Sequence, residues 1–561
     1  MLFLLIVAAA AATSAPTATP TPAPTSTLSA PTPLPRPASV AIVWHLAPAP
    51  YPDKNVRQAY VAMAAADALA SPLAALRDHP RARFSLAIDT DGLENLTAAA
   101  AGAGALTAMA DGKLVPGDLR SADLMRVLAQ VPVLDPRLAA TPAARRYEAL
   151  AAAAPLALAG QRAARFSAAD YVDFAGFASL IRVAAAGALA AHSPLLAKTS
   201  LTTAEATAIV AQLAKLDANL LDLLKRERAG GQLELLADPA REPILPLLTD
   251  SGGSSGPYAV ALGAGADAVF AVNQSLRESS ISPDVPSGVY SPHGAYDDRA
   301  AEVIARARAA FALFSDRVLR ASPIGGSREA VSGADVAAYQ AYGLKTVSAT
   351  LPVLFWDEDD SLILSALSPR LPAGAMGGHV RDLAKRAGGR GAPSILVLRI
   401  EADGLWNRRA DRARVVGQLA AALSSGEITS TTIGAFLGSG PPGSISYGFS
   451  PGSDAGALTY WMGNQNQRSM WAALADARKA AGGDAALDRV ATRAPLLEAE
   501  ASHWYLAPTL VAPLADVERL IAQFRLVVFD IYRGAGKPIP NLIAPVKLEL
   551  AAPPQNPVRQ P

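Results

Sequence analysis

The stretch SVAIVWHLAPAPYPD, residues 39–53, begins with an unbroken apolar run, VAIVW, and ends in a histidine, His45, and a proline-rich loop. An apolar run without polar alternation suits a strand covered on both faces, as in a parallel sheet. A helical stretch over 55–78 follows, and RARFSLAID (81–89) reads as a second strand. Residues 92–229 read almost wholly as helix. They close on LTTAEATAIVAQLAKLDANLLDLLKRERAGG, where Thr202 and Glu205 form a capping box and Gly230 suits a C-cap. Strand candidates then resume at QLELLAD (232–238), SGVYSP (287–292), an apolar segment within 309–316, KTVSATLP (345–352) and SILVLRIEAD (394–403). Strands alternating with helices predict an α/β chain whose parallel sheet closes, or nearly closes, into a barrel.

Beyond about residue 430 the strands fade. SMWAALADARKAA and LADVERLIAQFRLVVFDIYRGAG predict a C-terminal helical domain. The expected organisation is a barrel over 39–430 with a helical insertion at 92–229, a helical domain over 431–548, and a disordered tail at 549–561.

The 561 residues carry 50 basic and 49 acidic side chains and no cysteine. That excludes disulfides, thiolate nucleophiles and cysteine-held zinc, and the balanced charge gives no footprint for nucleic acid. LFLLIVAAAAA (2–12) has the length of a signal-peptide core and is too short to span a bilayer; ATSA (12–15) offers small residues for cleavage. The segment 1–15 is therefore expected to be a signal peptide, with an uncleaved anchor as the alternative. Residues 16–38, a Pro/Thr/Ala tract, are expected to be a solvated spacer. Together they predict a secreted or extracytoplasmic protein, held near a membrane or cell wall.

Seven blocks, in order, resemble glycoside hydrolase family 57, the retaining α-glucan-active enzymes, over residues 39–548. The opening stretch is similar to that family's Trp-His-x-His-Gln-Pro strand, and REPILPLLTD (241–250) to His-Pro-Ile-Leu-Pro-Leu. SGVYSPHGAYDD (287–298) is similar to Gly-Met-Trp-Pro-x-Glu, and VLFWDEDDSLI (353–363) to Phe-Arg-Asp-x-x-Leu-Ser-Asp. LVLRIEADGLWN (396–407) is similar to Ile-Leu-Asp-Gly-Glu-Asn-x-Trp. WMGNQNQRSMW (461–471) and LLEAEASHWY (496–505) are similar to the two bundle motifs. The resemblance implies a (β/α)7 barrel of the glycoside hydrolase/deacetylase type with a helical bundle against its catalytic face.

It also implies roles, and there the residues depart from the pattern. The nucleophile position holds His293, and the acid/base position holds Glu401, with Asp403 beside it. The family's second His and Gln in the opening motif are Ala47 and Pro48; the His of the second block is Glu242; the Arg before Asp357 is Trp356; and the Asp of the last block is His503. His45 alone survives from the first motif. Candidate carbohydrate contacts are Trp44, His45, Glu242, Tyr290, Trp356, Asp357, Asp403, Trp406, His503 and Trp504, each weighed against a purely structural role.

A retaining glycosidase needs two carboxyl groups about 5–5.5 Å apart, one attacking the anomeric carbon and one passing a proton. An imidazole supplies no anion there. Unless Asp297, Asp298 or Glu242 swings in, hydrolysis fails at His293. The expectation is thus an α-glucan-type carbohydrate partner for a catalytically impaired protein, with no cofactor and no metal assigned. Two alternatives remain: an active hydrolase using Glu401 with a relocated carboxylate, and a metal-dependent, polysaccharide deacetylase-like hydrolase that gathers His45, His293, His503 and Glu242.

Overall fold

Seven strands pair in parallel and close a ring. In chain order the strands are β1 (Ser39–Leu46), β2 (Phe84–Asp89), β3 (Leu233–Asp238), β4 (Val289–Tyr290), β5 (Ala312–Ser315), β6 (Tyr342–Lys345), β7 (Thr350–Trp356), β8 (Ile395–Glu401) and β9 (Gly443–Ile445). β1 pairs with β2, β2 with β3, β3 with β4 and β4 with β5. β5 passes over β6 to pair with β7, and β7 joins β8, which returns to β1. This is the expected (β/α)7 barrel. The protein is a computed structural model, described over residues 36–540 apart from 47–52, 103, 115–118, 130–135, 159–165, 187–188, 240, 249–287, 323–338, 368–371, 373–374, 389–392, 402–411, 441–442, 446–448, 487–488 and 507–513. The signal-peptide segment, nearly all of the spacer and the tail lie outside the described residues.

One expected strand is corrected. Residues 345–352 hold a hairpin turn: β6 ends at Lys345, β7 begins at Thr350, and the two run antiparallel. The barrel portion of β7 is the later VLFW, with Val353 to Trp356 set against β5. Pro352 lies inside β7, opposite Gly343 on the side that pairs with β6. β9 extends β6 in parallel outside the ring.

Alternation along each strand sorts the core into two. Ala41, Val43, Ala87, Leu236, Leu313, Leu354 and Val397 fill the barrel lumen. Val40, Ile42, Trp44, Leu46, Leu86, Leu235 and Leu398 pack outward with the helices. Because both faces are covered, the strands are apolar almost throughout.

The long insertion is helical as expected, ending in the helix Thr203–Ala229 with the Thr202–Glu205 capping box in place. Gly230 caps that helix in a right-handed conformation, and the left-handed turn falls on Gly231 at φ 71°. A separate apolar core joins Trp461, Met470, Trp471, Leu474, Trp504, Phe524 and Ile531. It belongs to the helices Gln465–Ala481, Val490–Ala499, Ser502–Leu506 and Leu514–Gly534. Ile244, Leu248 and Ala295, from the loops after β3 and β4, sit inside this same core. The helical layer is therefore keyed onto the C-terminal ends of the strands. Among the described residues no helix is long and apolar enough to cross a membrane.

Candidate functional site

The C-terminal ends of the strands turn polar on the lumen side. His45 follows Ala41 and Val43 inward, Asp238 follows Leu236, and Arg399 and Glu401 follow Val397. Trp44 has the opposite parity. It is buried among the helix-facing residues, so it is not a pocket wall.

His45 is the hub of a buried acidic cluster. Its Nδ1 lies 2.6 Å from Glu401 Oε2, and its Nε2 lies 3.1 Å from Asp238 Oδ2 and 2.6 Å from Glu242 Oε1. Burial opposes charge on this imidazole, but Glu401, Glu242 and Asp238 outweigh it and raise its pKa well above the usual value. Asp238 is raised too, first by burial and then by the neighbouring Glu242 charge. Glu242 reaches the ring from a strained turn: Arg241 and Glu242 both have positive φ, 67° and 49°. Hydrogen bonds from the Arg241 amide to Asp89 and from the Ser502 amide to the Glu242 carbonyl hold that turn. Such strain, on the order of 1–2 kcal/mol per non-glycine residue, persists only where surrounding contacts over-determine it.

Arg399 organises the other half. Its guanidinium lies 3.0 Å from Glu358, 3.1 Å from Glu401 and 3.4 Å from Asp454, and it donates to the Tyr290 hydroxyl at 3.0 Å. Burial would raise the Glu401 pKa; His45 and Arg399 overcome that and bring it to about 2. Beneath these charges the rings of His45, Tyr290 and Trp356 are layered, with centroids 4.5 and 5.1 Å apart, and Arg399 covers Trp356 at 4.9 Å. Tyr290 and Trp356 are fully buried. They form the floor of the cleft and offer no open face for a sugar ring to stack on.

His293 stands on a short turn after β4 with left-handed backbone, φ 53°. Its Nδ1 lies 3.5 Å from Asp454, its Nε2 lies 3.2 Å from the Ser502 hydroxyl and 3.9 Å from Glu242, and its ring rests on Trp461. Burial opposes its charge, but Asp454 outweighs that and raises its pKa. The same pairing, with Arg399, overcomes burial and lowers Asp454. The acidic pair after His293 is committed elsewhere: Asp297 accepts from the Ala300 amide as a helix cap, and Asp298 accepts from the Tyr296 hydroxyl.

The remaining candidates separate from this cluster. Asp357 accepts from the Tyr339 hydroxyl and the Asp360 amide, whereas its neighbour Glu358 is the carboxylate that reaches Arg399. Trp504 packs in the helical core and donates to the Glu498 carbonyl. Glu500 pairs with Arg478 in that core. Burial, then Arg241 and Arg57, depress the His503 pKa to about 3, so this histidine faces guanidinium groups. The triple-histidine grouping is thereby corrected: His45, Asp238 and Glu242 come together, with ligand atoms within 4.8 Å of one another, and His503 is not among them. Asp403 and Trp406 lie outside the described residues. The residues not anticipated are Asp238, Glu358, Arg399, Asp454 and Ser502. Strand parity was the available signal for Asp238 and Arg399; nothing in the sequence pointed to Asp454.

No protein-family model and no curated protein matches the chain. Solved structures do. A GH57 branching enzyme from Thermococcus kodakaraensis aligns at 13% identity and TM-score 0.55, covering 89% of this chain and 90% of that one. The GH57-type branching enzyme of Pyrococcus horikoshii aligns at 14% identity and TM-score 0.53, over 92% and 99%. The α-amylase AmyC from Thermotoga maritima aligns at 12% identity and TM-score 0.50, over 89% and 93%. The fold is GH57-like, and the low identities mark a divergent chain.

Proposed function

We propose, starting from a GH57-like barrel, that this is an exported protein that binds α-glucan-type carbohydrate at the barrel mouth and does not run the retaining glycosidase reaction. One observation carries the reading. The position of the resembled family's nucleophile is an imidazole paired to Asp454, while Glu401, at the acid/base position, is clamped as a carboxylate by His45 and Arg399. Double displacement requires one anion free to attack and one carboxylic acid still holding its proton. Here the anions are committed to cations, and Glu401 at about 2 is rarely protonated near neutral pH.

The groups that keep some exposure are Glu401, His293 and Asp454, with side chains 34%, 19% and 13% accessible. Charged hydrogen-bonding groups at a cleft mouth suit hydroxyl-rich ligands. Export rests on the apolar run at 2–12 and the proline-rich spacer after it.

A hydrolytic reading is favoured by a single feature. Glu401 and Asp454 both contact Nη1 of Arg399, so a second carboxylate does stand beside the empty nucleophile role. Retention on immobilised amylose or glycogen, together with reducing-sugar release by the wild-type chain, Glu401→Gln and Asp454→Asn, separates the two. Binding without turnover supports the main reading. Turnover abolished by either substitution replaces it with the hydrolytic one, and no retention on any α-glucan overturns the binding claim.

A further inference from the structure

We propose that His45, Asp238 and Glu242 form a binding site for one divalent transition-metal cation of the zinc type. The argument is one of proton counting at Nε2 of His45. Nδ1 lies 2.6 Å from Glu401 and donates its hydrogen there, so Nε2 is the ring position that takes either a second proton or, in its place, a metal ion. Nε2 faces two carboxylates, Asp238 Oδ2 at 3.1 Å and Glu242 Oε1 at 2.6 Å. Three electron-rich atoms aimed at one point repel unless something positive lies between them. A second proton on Nε2 can be donated well to only one of the two. The bonding pattern shows the shortfall: Glu242 Oε1, despite its closeness, has no aligned donor, and Asp238 Oδ1 has no hydrogen-bond partner among the described residues.

The chemistry of the donors fits a cation. One imidazole nitrogen and two carboxylate oxygens suit zinc and its neighbours, with bonds of about 2.0–2.2 Å, and the site needs only a slight spreading of the three atoms to admit them. All three side chains are buried, at 4%, 0% and 7% accessibility, so each would be dehydrated already. The fourth element is the orienting partner. A carboxylate on the far nitrogen of a metal-binding histidine fixes its tautomer and sharpens its basicity, and Glu401 occupies that position. This claim is independent of carbohydrate binding, because it is read out on the protein alone.

The full-length chain, stripped with chelator, is loaded with Zn²⁺ or Co²⁺, desalted, and assayed for bound metal by mass spectrometry and, for cobalt, by visible absorption. The expected result is about one equivalent retained per chain, with absorption bands of a low-coordinate Co²⁺ site and a metal-dependent rise in the unfolding midpoint. Asp238→Asn and Glu242→Gln should each lower retention at least about tenfold, and Glu401→Gln should weaken affinity about tenfold while keeping the stoichiometry. If Asp238→Asn does not fold, Glu242→Gln carries the comparison, being nearer the cleft. No metal above the buffer baseline in the wild-type chain, or undiminished retention in both folded variants, overturns the proposal. α-Glucan retention measured in chelator keeps the two readings apart.

Discussion

His45 and His293 stand on the same cleft, yet they are built differently. His45 stands at the end of a strand that is hydrogen-bonded on both sides; of its acidic partners, Glu401 ends the neighbouring β8 and Asp238 ends β3, one strand further round the ring. His293 rides a left-handed turn, and its partners come from elsewhere in the chain: Asp454 from a loop, Ser502 and Trp461 from the helical layer. The first histidine is held by the sheet, the second by what was folded over it. A site assembled on rigid strands tolerates little change, whereas one assembled from loops can exchange its chemistry while the barrel stays intact.

The largest expected effect comes from the residue that joins the two halves. Arg399→Met strands Glu358, Glu401 and Asp454 with no guanidinium between them, and should cost about 5 kcal/mol in denaturant unfolding. A loss under about 1 kcal/mol would mean that the halves are electrostatically separate. Next is the contrast itself. His45→Ala leaves three carboxylates around a hole and should cost about 3–5 kcal/mol, while His293→Ala should cost about 1 kcal/mol. Equal losses would erase the distinction between strand-held and loop-held histidines.

A third test uses pH on the His293 side. Burial lifts Asp297 to about 6 in the folded protein, above the unfolded carboxylate value of about 3.9. The folded state therefore holds the proton more tightly, so this group's contribution to stability is greatest below about 4 and is lost as pH rises through 6. Asp297→Asn keeps an oxygen for the Ala300 amide and removes the titration, and its unfolding free energy should fall less between pH 4 and 7, by about 2 kcal/mol. Parallel profiles would refute the assignment. The smallest effect concerns the backbone: His293→Gly should be more stable than His293→Ala by about 1 kcal/mol, because only glycine occupies φ 53° without strain.

The barrel was legible because its strands are apolar runs bounded by histidine, aspartate or proline, and such runs survive where identities do not. The seven-block order also located His45, Glu242, His293 and Glu401 on one cleft. What failed was finer. Trp44, a candidate contact because it lies near a strand end, takes the core-filling alternative instead, since it alternates with His45 and faces the helices. By the same parity, Asp238 shares the lumen face with Leu236, and Arg399 shares it with Val397 and Glu401. Asp357, the candidate carboxylate, is tied to Tyr339 and Asp360, and its unanticipated neighbour Glu358 turns toward Arg399 because one residue of offset decides which carboxylate does so. Asp454 had no local signature at all; it enters the cleft through contacts with His293 and Arg399, which are far from it in sequence.

The ring also sets an order of assembly. Its longest described ladder joins Ser39–His45 to Ile395–Glu401, so the first strand made waits for one of the last. At synthesis rates of about 5–20 residues per second, that wait is on the order of tens of seconds. Until then β1 has an open edge along a mostly apolar strand, the kind of segment that associates with other chains. The growing polypeptide needs shelter for one strand near its beginning, and the cleft's two halves meet only when that shelter is released.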